Sequence, residues 1–186
     1  SSSINVLDVG GGSGWLLDII KRSDPRINIT QVVDIDKNAE QTAIKNGHKY
    51  FCGRIEEFNG QGKFDLILLL NLIEHVKSPL DVLVKLKDLL LPQGIILVKT
   101  PNYNSLDARL FKNKNWGGYH CPRHWVIFER ESFLQLAQKA GLTPLRFNYT
   151  QGASFWAISL LHWLNKYHVI KITKDYPVFN HPLYPP

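Results

Sequence analysis

The chain has 186 residues, 44% hydrophobic and 20% charged, which is the composition of an ordinary globular protein. A chain of this length suits one domain whose core buries roughly 70% of the unfolded surface. The net charge of +6 comes from scattered lysines and arginines, without a basic run interleaved with aromatic residues, so we predict no nucleic-acid partner. Cys52 and Cys121 have no metal-binding spacing, and we predict a cytoplasmic protein with reduced thiols and no bound metal.

The start of the chain combines an apolar run, a glycine cluster and a helical pattern. Residues 4–9 predict a buried strand, four glycines follow between residues 10 and 14, and an amphipathic pattern begins at Trp15. Glycine permits positive φ and has no Cβ, so this arrangement lets the backbone approach a nucleotide closely. A tight turn without a ligand is the alternative.

The spacing of the glycines indicates the kind of nucleotide. They stand at Gly10, Gly12 and Gly14, and Asp8 precedes them at the end of the strand. A carboxylate there repels a pyrophosphate but attracts a cationic ligand. S-adenosylmethionine carries a sulfonium, an ammonium and no phosphate. The stretch resembles the class I S-adenosylmethionine-dependent methyltransferases, whose first motif is D/E-x-G-x-G-x-G, and the resemblance implies this cofactor.

A second acidic site follows the next predicted strand, Ile27 to Asp34. An acid at the end of that strand binds ribose hydroxyls in nucleotide-binding folds of this topology, and the methyltransferase family carries its ribose acid here. Capping of the helix over residues 37–46 is the alternative role for Asp34 or for Asp36. We assign the ribose to Asp34, with Ile35 beside it in the cofactor site, and the cap to Asp36.

The segment Gly53 to Phe58 resembles the loop that lines the adenine in the family. Relatives usually have an aspartate where Arg54 stands, and an arginine cannot accept a hydrogen bond. Adenine recognition is therefore left to the backbone, to stacking on Ile55, or to Glu56.

A near-continuous apolar run over residues 64–70 predicts a central parallel strand covered on both faces. Ligands in open α/β sheets bind at the carboxyl ends of strands, so we expect Leu70 and Asn71 to border the methionine part of the cofactor. Glu74 and His75 match the family's segment after this strand. We interpret both as structural, and a general-base role for His75 is the alternative.

After a predicted helix over residues 80–91 and a strand over 95–99, residues 101–130 form a long loop of the kind that is usually functional. Its aromatic, histidine-rich part resembles the P-R-H-x-x-x-F element on the acceptor side of a subgroup that includes relatives of quinone-pathway O-methyltransferases. Pro122, Arg123, His124 and Phe128 match that element. His124 is the candidate general base, since imidazole titrates near neutral pH. The alternative is that His124 donates to a backbone carbonyl and fixes the loop.

The last part of the chain carries a different pattern. We predict a helix over residues 131–140 and a sixth strand over 142–149. The apolar, tryptophan-containing stretch that follows is too short for a membrane span of roughly 20 residues. A core segment is the favoured interpretation; an oligomer contact and a peripheral membrane contact through residues 154–166 are alternatives.

Together these patterns predict an α/β fold with a doubly wound, mostly parallel Rossmann-like sheet and helices on both faces. The resemblance implies strand order 3-2-1-4-5 plus last strands, one of them antiparallel. Residues 1–150 form the predicted cofactor-binding methyltransferase domain, with loop 101–130 on the acceptor side. Residues 151–186 form an apolar extension of unknown role. Because the sequence lacks methionine and closes on prolines, we predict a fragment of a longer protein.

The predicted function is methyl transfer from S-adenosylmethionine, by in-line displacement, to a small-molecule, quinone-like, lipid-linked or glycan acceptor. One alternative is a catalytically silent module that retains the fold. A nicotinamide-dependent oxidoreductase is a second alternative, and the glycine spacing counts against it.

Overall fold

The computed structural model describes residues 3–60, 62–113, 115–120, 123–173 and 177–178. The described part of the chain divides into two compact units. The first comprises Ser1–Thr100 and Gln135–Thr143, and the second comprises Pro101–Leu134 and Pro144–Pro186. This division does not test the boundary near residue 150, which stays a prediction.

The first unit contains a sheet of five parallel strands in the order β3-β2-β1-β4-β5. The strands are β1 (Ile4–Val9), β2 (Ile27–Asp34), β3 (Lys49–Cys52), β4 (Phe64–Leu70) and β5 (Leu90–Lys99). Three helices connect them: α1 (Trp15–Ser23), α2 (Lys37–Lys45) and α3 (Pro79–Leu89). The chain runs from β1 outward to β3 and then returns to β4 beside β1. The carboxyl end of β1 is therefore the point where ligands bind in open sheets.

The core of this unit follows from the apolar strands. Val6 of β1, Val32 of β2 and Leu68 of β4 are buried together with Leu17 of α1. Strands that are apolar on both sides need cover on both faces, and adjacent positions are buried in β1 (Val6 and Leu7) and in β4 (Ile67 and Leu68). The predicted Rossmann-like sheet and the strand order of its first five strands are confirmed.

The second unit contains α4 (Leu106–Phe111), a 3-10 turn (Gly117–Tyr119) and α6 (Ala153–Lys166), while α5 (Arg130–Lys139) contributes residues to both units. The sequence pattern did not reveal α4. Its cap is Ser105, whose Oγ accepts from the Ala108 amide. A short parallel bridge joins Asn102 to Phe128 and ties the two ends of the long loop together.

The predicted sixth strand is wrong. Residues 142–149 have no regular structure, and the described sheet has no antiparallel strand. Pro144 has no N–H to donate to a strand ladder. Leu145 is 79% exposed and Tyr149 is also exposed, so the apolar positions that alternate along this stretch cover no sheet face.

Two further differences concern element bounds. β5 begins at Leu90, directly after α3, although Pro92 and Gly94 predicted a break before residue 95. Leu90 pairs with Phe64, and a register shift follows before regular pairing resumes at Ile95, so the strand absorbs both residues. The apolar stretch after residue 152, for which we predicted no element type, forms the helix α6.

Candidate functional site

The glycine loop between β1 and α1 depends on backbone conformations that favour glycine. Gly10, Gly12 and Gly14 have φ of 78°, 52° and 79°. A Cβ at Gly12 would meet no atom within 4 Å, so the space above it is open. A Cβ at Gly14 would lie 2.6 Å from Cδ2 of His48. The same conformation therefore has two uses: Gly12 leaves room for a ligand, and Gly14 leaves room for a side chain of the protein.

Asp34, at the end of β2, contacts this loop directly. The Gly12 amide donates to Asp34 Oδ2 at 2.8 Å, and the Asp36 amide donates to Asp34 Oδ1 at 2.9 Å. Asp36 caps α2, since its Oδ1 accepts from the Asn38 amide at 2.9 Å. The cap predicted for Asp36 is thus present, and Asp34 is beside the glycine loop. Ile35 is 72% exposed.

Asp8 lies beneath the same loop and is only 4% exposed. A Cβ at Gly11 would come within 2.6 Å of the Asp8 carboxylate, so glycine is needed there for close packing. Burial, followed by the negative charge of Asp34, raises the pKa of Asp8 to about 6. Asp8 and Asp34 lie at the same edge of the sheet, at the ends of two neighbouring strands. A cationic ligand bound there would offset the repulsion between their negative charges.

A chain of polar side chains centred on the buried His48 lies behind the loop and has no signature in the sequence. His48 Nδ1 lies 2.8 Å from Thr30 Oγ1, and His48 Nε2 lies 3.0 Å from Asp18 Oδ1. Asp18 also accepts from Asn46 Nδ2 at 2.9 Å. Because a carboxylate only accepts, Nε2 carries a proton and donates to Asp18. His48 thus joins β2 to α1 and packs against Gly14; no local motif pairs residues so far apart in sequence.

The segment after β4 also reaches the loop. Leu72 side-chain atoms would lie 3.3 Å from a Cβ at Gly10. Leu70 is half-buried and Asn71 is exposed, with φ of 53°, a left-handed conformation that asparagine tolerates better than most residues. The Asn71 amide donates to the Lys99 carbonyl at 2.8 Å. The structure therefore brings the start of this segment to the glycine loop.

Glu74 has the geometry of a structural residue. It is buried, and Thr100 Oγ1 donates to its Oε2 at 3.0 Å. Burial raises the pKa of this carboxyl. The hydrogen bond joins the segment after β4 to the end of β5, which agrees with the structural role assigned to Glu74.

The adenine-side loop fits its prediction less well. Residues 55–57 form a 3-10 turn, in which the Arg54 amide donates to Glu57 Oε2 at 3.2 Å. Ile55 is only 3% exposed, because its side chain belongs to the core. Little of it is left for stacking against a ring, and the stacking role stays a prediction without support from its burial.

The second unit holds the candidate base. His124 Nδ1 lies 2.7 Å from the Gly118 carbonyl oxygen. A carbonyl only accepts, so the neutral ring carries its proton on Nδ1 and its lone pair on Nε2. This hydrogen bond is the one that the loop-fixing alternative requires, and it also leaves the basic nitrogen defined. Pro122 and Cys121 lie outside the described residues, and Phe128 is buried against Phe133 with ring centroids 5.6 Å apart.

The fold and the glycine loop define a nucleotide-binding class, and sequence comparison gives the family. Residues 1–146 match the family model of a methyltransferase domain, and the chain belongs to that family. The predicted family resemblance is thereby confirmed.

Two curated relatives show the degree of sequence similarity. The chain is 32% identical over 111 residues to a ubiquinone biosynthesis O-methyltransferase of Rhodopseudomonas palustris, a match that covers 55% of this chain and 42% of the relative. It is 30% identical over 107 residues to the mitochondrial enzyme of the same name from Arabidopsis thaliana, covering 53% and 33%. The chain thus spans less than half the length of these curated relatives.

Solved structures share the fold. An S-adenosylmethionine-dependent methyltransferase from Thermotoga maritima superposes with a TM-score of 0.59 at 22% identity, covering 76% of this chain and 65% of that one. The plantazolicin methyltransferase BpumL, solved with S-adenosylhomocysteine, gives a TM-score of 0.60 at 22% identity, covering 74% and 55%.

Proposed function

We propose that this chain is a methyltransferase that uses S-adenosylmethionine to methylate a hydroxyl group of a small, quinone-precursor-like molecule. The observation that carries the proposal is the open space above Gly12, whose amide is bound to Asp34 and whose loop lies over the buried Asp8. A glycine turn that leaves open space and is flanked by two acids suits a cationic nucleoside. It suits a pyrophosphate poorly, because the acids repel the negative charge. Membership of the methyltransferase family supports the same function.

In this proposal, different residues contact different parts of the cofactor. Asp34 binds the ribose, with Ile35 at its side, and Asp8 attracts the ammonium group. Leu70 and Asn71, at the end of β4, border the methionine part. The bound cofactor supplies an electrophilic methyl group on a sulfonium. Charge is neutralised during transfer, so the protein has mainly to position the acceptor and exclude water.

His124 acts as the general base in this proposal. A hydroxyl acceptor loses its proton as its oxygen attacks, and the Nε2 lone pair, defined by the bond from Nδ1 to Gly118, takes that proton. We expect His124→Ala to lower kcat for a catechol acceptor while the affinity for S-adenosylhomocysteine stays within about twofold. Equal losses of thermal stability and of activity would assign His124 to the loop-fixing role.

The test of the whole proposal is calorimetric titration with S-adenosylhomocysteine beside NADH. Micromolar binding of the first alone supports the proposal, and binding of NADH alone supports an oxidoreductase. Binding of S-adenosylhomocysteine without transfer to any acceptor tested would favour the silent module. Binding of neither would remove the proposed cofactor.

The acceptor class rests on the relatives named as ubiquinone biosynthesis O-methyltransferases. We propose an aromatic hydroxyl acceptor with an apolar substituent. Radiolabelled methyl transfer to a prenylated catechol, an unsubstituted catechol and a glycan separates the classes that the sequence left open. The prenylated compound is the expected acceptor, and transfer to the glycan alone would exclude a phenolic acceptor.

We also propose a peripheral membrane contact through residues 154–166. Leu160 and Trp163 of α6 are exposed, as is Tyr167 just beyond it, and residues 132–174 contain no acidic side chain. Tryptophan and tyrosine favour the headgroup region, and an acid-free basic segment suits anionic lipid. Among the described helices, none is long and apolar enough to span a bilayer.

Co-sedimentation with vesicles of anionic and of neutral phospholipid tests this contact. We expect binding to anionic vesicles that Trp163→Ala weakens, with Trp15→Ala, an exposed tryptophan in the first unit, as the matched control. No binding to either vesicle would remove the proposal. A cytoplasmic location, with the exposed Cys52 as a free thiol, is likewise our proposal.

A further inference from the structure

We propose that Ser159 of α6 is a positioning residue for His124, so that the C-terminal helix forms part of the acceptor-side machinery. The inference rests on the proposed function, because it gives a role to the base of that reaction. It assigns a purpose to a segment whose role the sequence left unknown.

Ser159 holds the loop by two hydrogen bonds. It is fully buried, its Oγ accepts from the Gly117 amide at 2.8 Å, and the same hydroxyl donates to the Phe155 carbonyl at 2.6 Å. The helix thereby supplies an acceptor for an amide that lies 42 positions away in sequence. A buried amide without a partner is costly, so the bond fixes where Gly117 lies.

The packing at this point is tight. A Cβ at Gly117 would lie 2.8 Å from Cβ of Ile158 and 2.8 Å from the Phe155 carbonyl oxygen, so the loop backbone lies directly against the helix. The neighbouring Trp116 is buried, with its ring centroid 6.0 Å from that of Phe155. Glycine at position 117 is therefore required by close approach to α6, whatever its φ.

Trp116 is fixed a second time from α4. Its Nε1 donates to Oδ2 of the buried Asp107 at 2.8 Å. Residues 116 and 117 are thus held from two different helices, and the carbonyl of Gly118 comes next in the chain.

That carbonyl is the acceptor for His124 Nδ1 at 2.7 Å. A direct path of bonds therefore runs from Ser159 Oγ through Gly117 and Gly118 to the imidazole. The carbonyl selects the tautomer with the proton on Nδ1 and so leaves Nε2 as the basic nitrogen. When Ser159 loses its hydroxyl, Gly117 loses its acceptor, and the carbonyl that selects the tautomer loses its fixed position.

The test compares Ser159→Ala with Ser154→Ala, an exposed serine in the first turn of the same helix. Long-range proton–nitrogen NMR of histidine-labelled protein, with His124→Ala to assign the signal, reads the tautomer directly. We expect the Nδ1–H form in the parent and in Ser154→Ala, and loss of that preference in Ser159→Ala. Ser159→Thr keeps the hydroxyl and should retain it.

Kinetics add a second readout. In Ser159→Ala, kcat for a catechol acceptor should fall about tenfold, part of the factor that a general base contributes. The KM for S-adenosylmethionine and the affinity for S-adenosylhomocysteine should be unchanged. If Ser159→Ala does not fold, Ser159→Cys keeps the size with a weaker donor and acceptor, and an intermediate loss of tautomer preference is expected.

The outcomes separate the two proposals. A folded Ser159→Ala variant whose His124 tautomer is the same as in the parent overturns the positioning role, even when the parent binds S-adenosylhomocysteine. A changed tautomer in a protein that fails to bind S-adenosylhomocysteine leaves the link between Ser159 and His124 intact and removes the methyltransferase proposal.

Discussion

The glycine loop and the acceptor-side loop are built in opposite ways. The glycine loop relies on left-handed backbone at three glycines and on Asp8 and Asp34, which lie at the carboxyl ends of the neighbouring strands β1 and β2. The acceptor-side loop relies on side-chain hydrogen bonds: Asp107 of its own helix α4 fixes residue 116, and Ser159 of the distant helix α6 fixes residue 117. A site made of backbone conformations leaves a short, regular signature in the sequence. The bond between Gly117 and Ser159 joins residues 42 positions apart and leaves no such signature.

The glycine loop and the acceptor-side loop also differ in their electrostatics. The glycine loop lies over Asp8, whose burial raises its pKa to about 6, and beside Asp34. The acid Asp107 of the acceptor-side loop is buried and accepts a hydrogen bond from Trp116, and residues 132–174, which include α6, contain no acid. We therefore expect substitutions in the first region to change cofactor affinity and its pH dependence. Substitutions in the second should leave cofactor affinity unchanged.

The largest expected effect separates two glycines of one loop. Gly12→Ala fills the open space and should weaken S-adenosylhomocysteine about 30-fold or more, with a loss of about 1 kcal/mol of stability from the left-handed conformation. In Gly14→Ala the added Cβ collides with His48, and the free energy of unfolding should fall by at least about 2 kcal/mol. Gly152→Ala, where a Cβ meets nothing, is the control. Calorimetry measures the affinity for S-adenosylhomocysteine, and urea unfolding measures the stability. Equal losses of affinity in Gly12→Ala and Gly14→Ala, with equal stabilities, would contradict the separation.

The next effect concerns two acids at the carboxyl end of β2: Asp34, its last residue, and Asp36, which follows it. Asp34→Ala removes the proposed ribose acceptor and the partner of the Gly12 amide, and should weaken S-adenosylhomocysteine about tenfold or more. Asp36→Ala removes only the cap of α2, and should cost about 1 kcal/mol of stability with affinity unchanged. Unchanged affinity in Asp34→Ala would assign Asp34 to a purely structural role.

A third effect depends on pH. Folding raises the pKa of Asp8 to about 6, so the folded state binds this proton more tightly than the unfolded chain. The resulting stability is fully present below about pH 4 and is lost as the pH rises through about 6. Asp8→Asn removes the buried charge and should raise the unfolding free energy by up to about 3 kcal/mol at pH 7.5, with a smaller gain at pH 5.

The same substitution should reduce S-adenosylhomocysteine affinity at pH 7.5 about fivefold, because the ammonium loses its counter-charge. In the parent, affinity should rise between pH 5 and pH 7 as Asp8 ionises, and the variant should lack this rise. Parallel pH profiles for the two proteins would exclude Asp8 as the group that titrates.

The smallest effect on the cofactor is expected from the second region. Trp116→Phe keeps the ring packing against Phe155 but removes the hydrogen bond to the buried Asp107, and should cost about 1–3 kcal/mol of stability. The affinity for S-adenosylhomocysteine should change less than twofold. A tenfold loss of affinity would mean that the two loops are energetically coupled.

Much of the first unit was predictable because its signals are local. The five strands and the cap at Asp36 follow from apolar runs, turn residues and short motifs, whereas the order of the strands was implied by the family resemblance. The sixth strand was wrong because alternation of apolar residues indicates a strand only when a partner strand is available, and residues 142–149 have none. Stacking on Ile55 was one of three adenine contacts that the sequence left open, and the burial of Ile55 in the core was not visible in the sequence.

The sequence by itself determined the parallel sheet, the left-handed glycine loop and the acid that approaches it. These depend on side-chain period and on the conformational freedom of glycine, which are properties of neighbouring residues. Only the tertiary structure decided that His48 fills the space at Gly14, and that Ser159 binds Gly117 beside the partner of His124. Those contacts join residues between 6 and 42 positions apart, and the distant ones exist only because the packed chain brings their elements together.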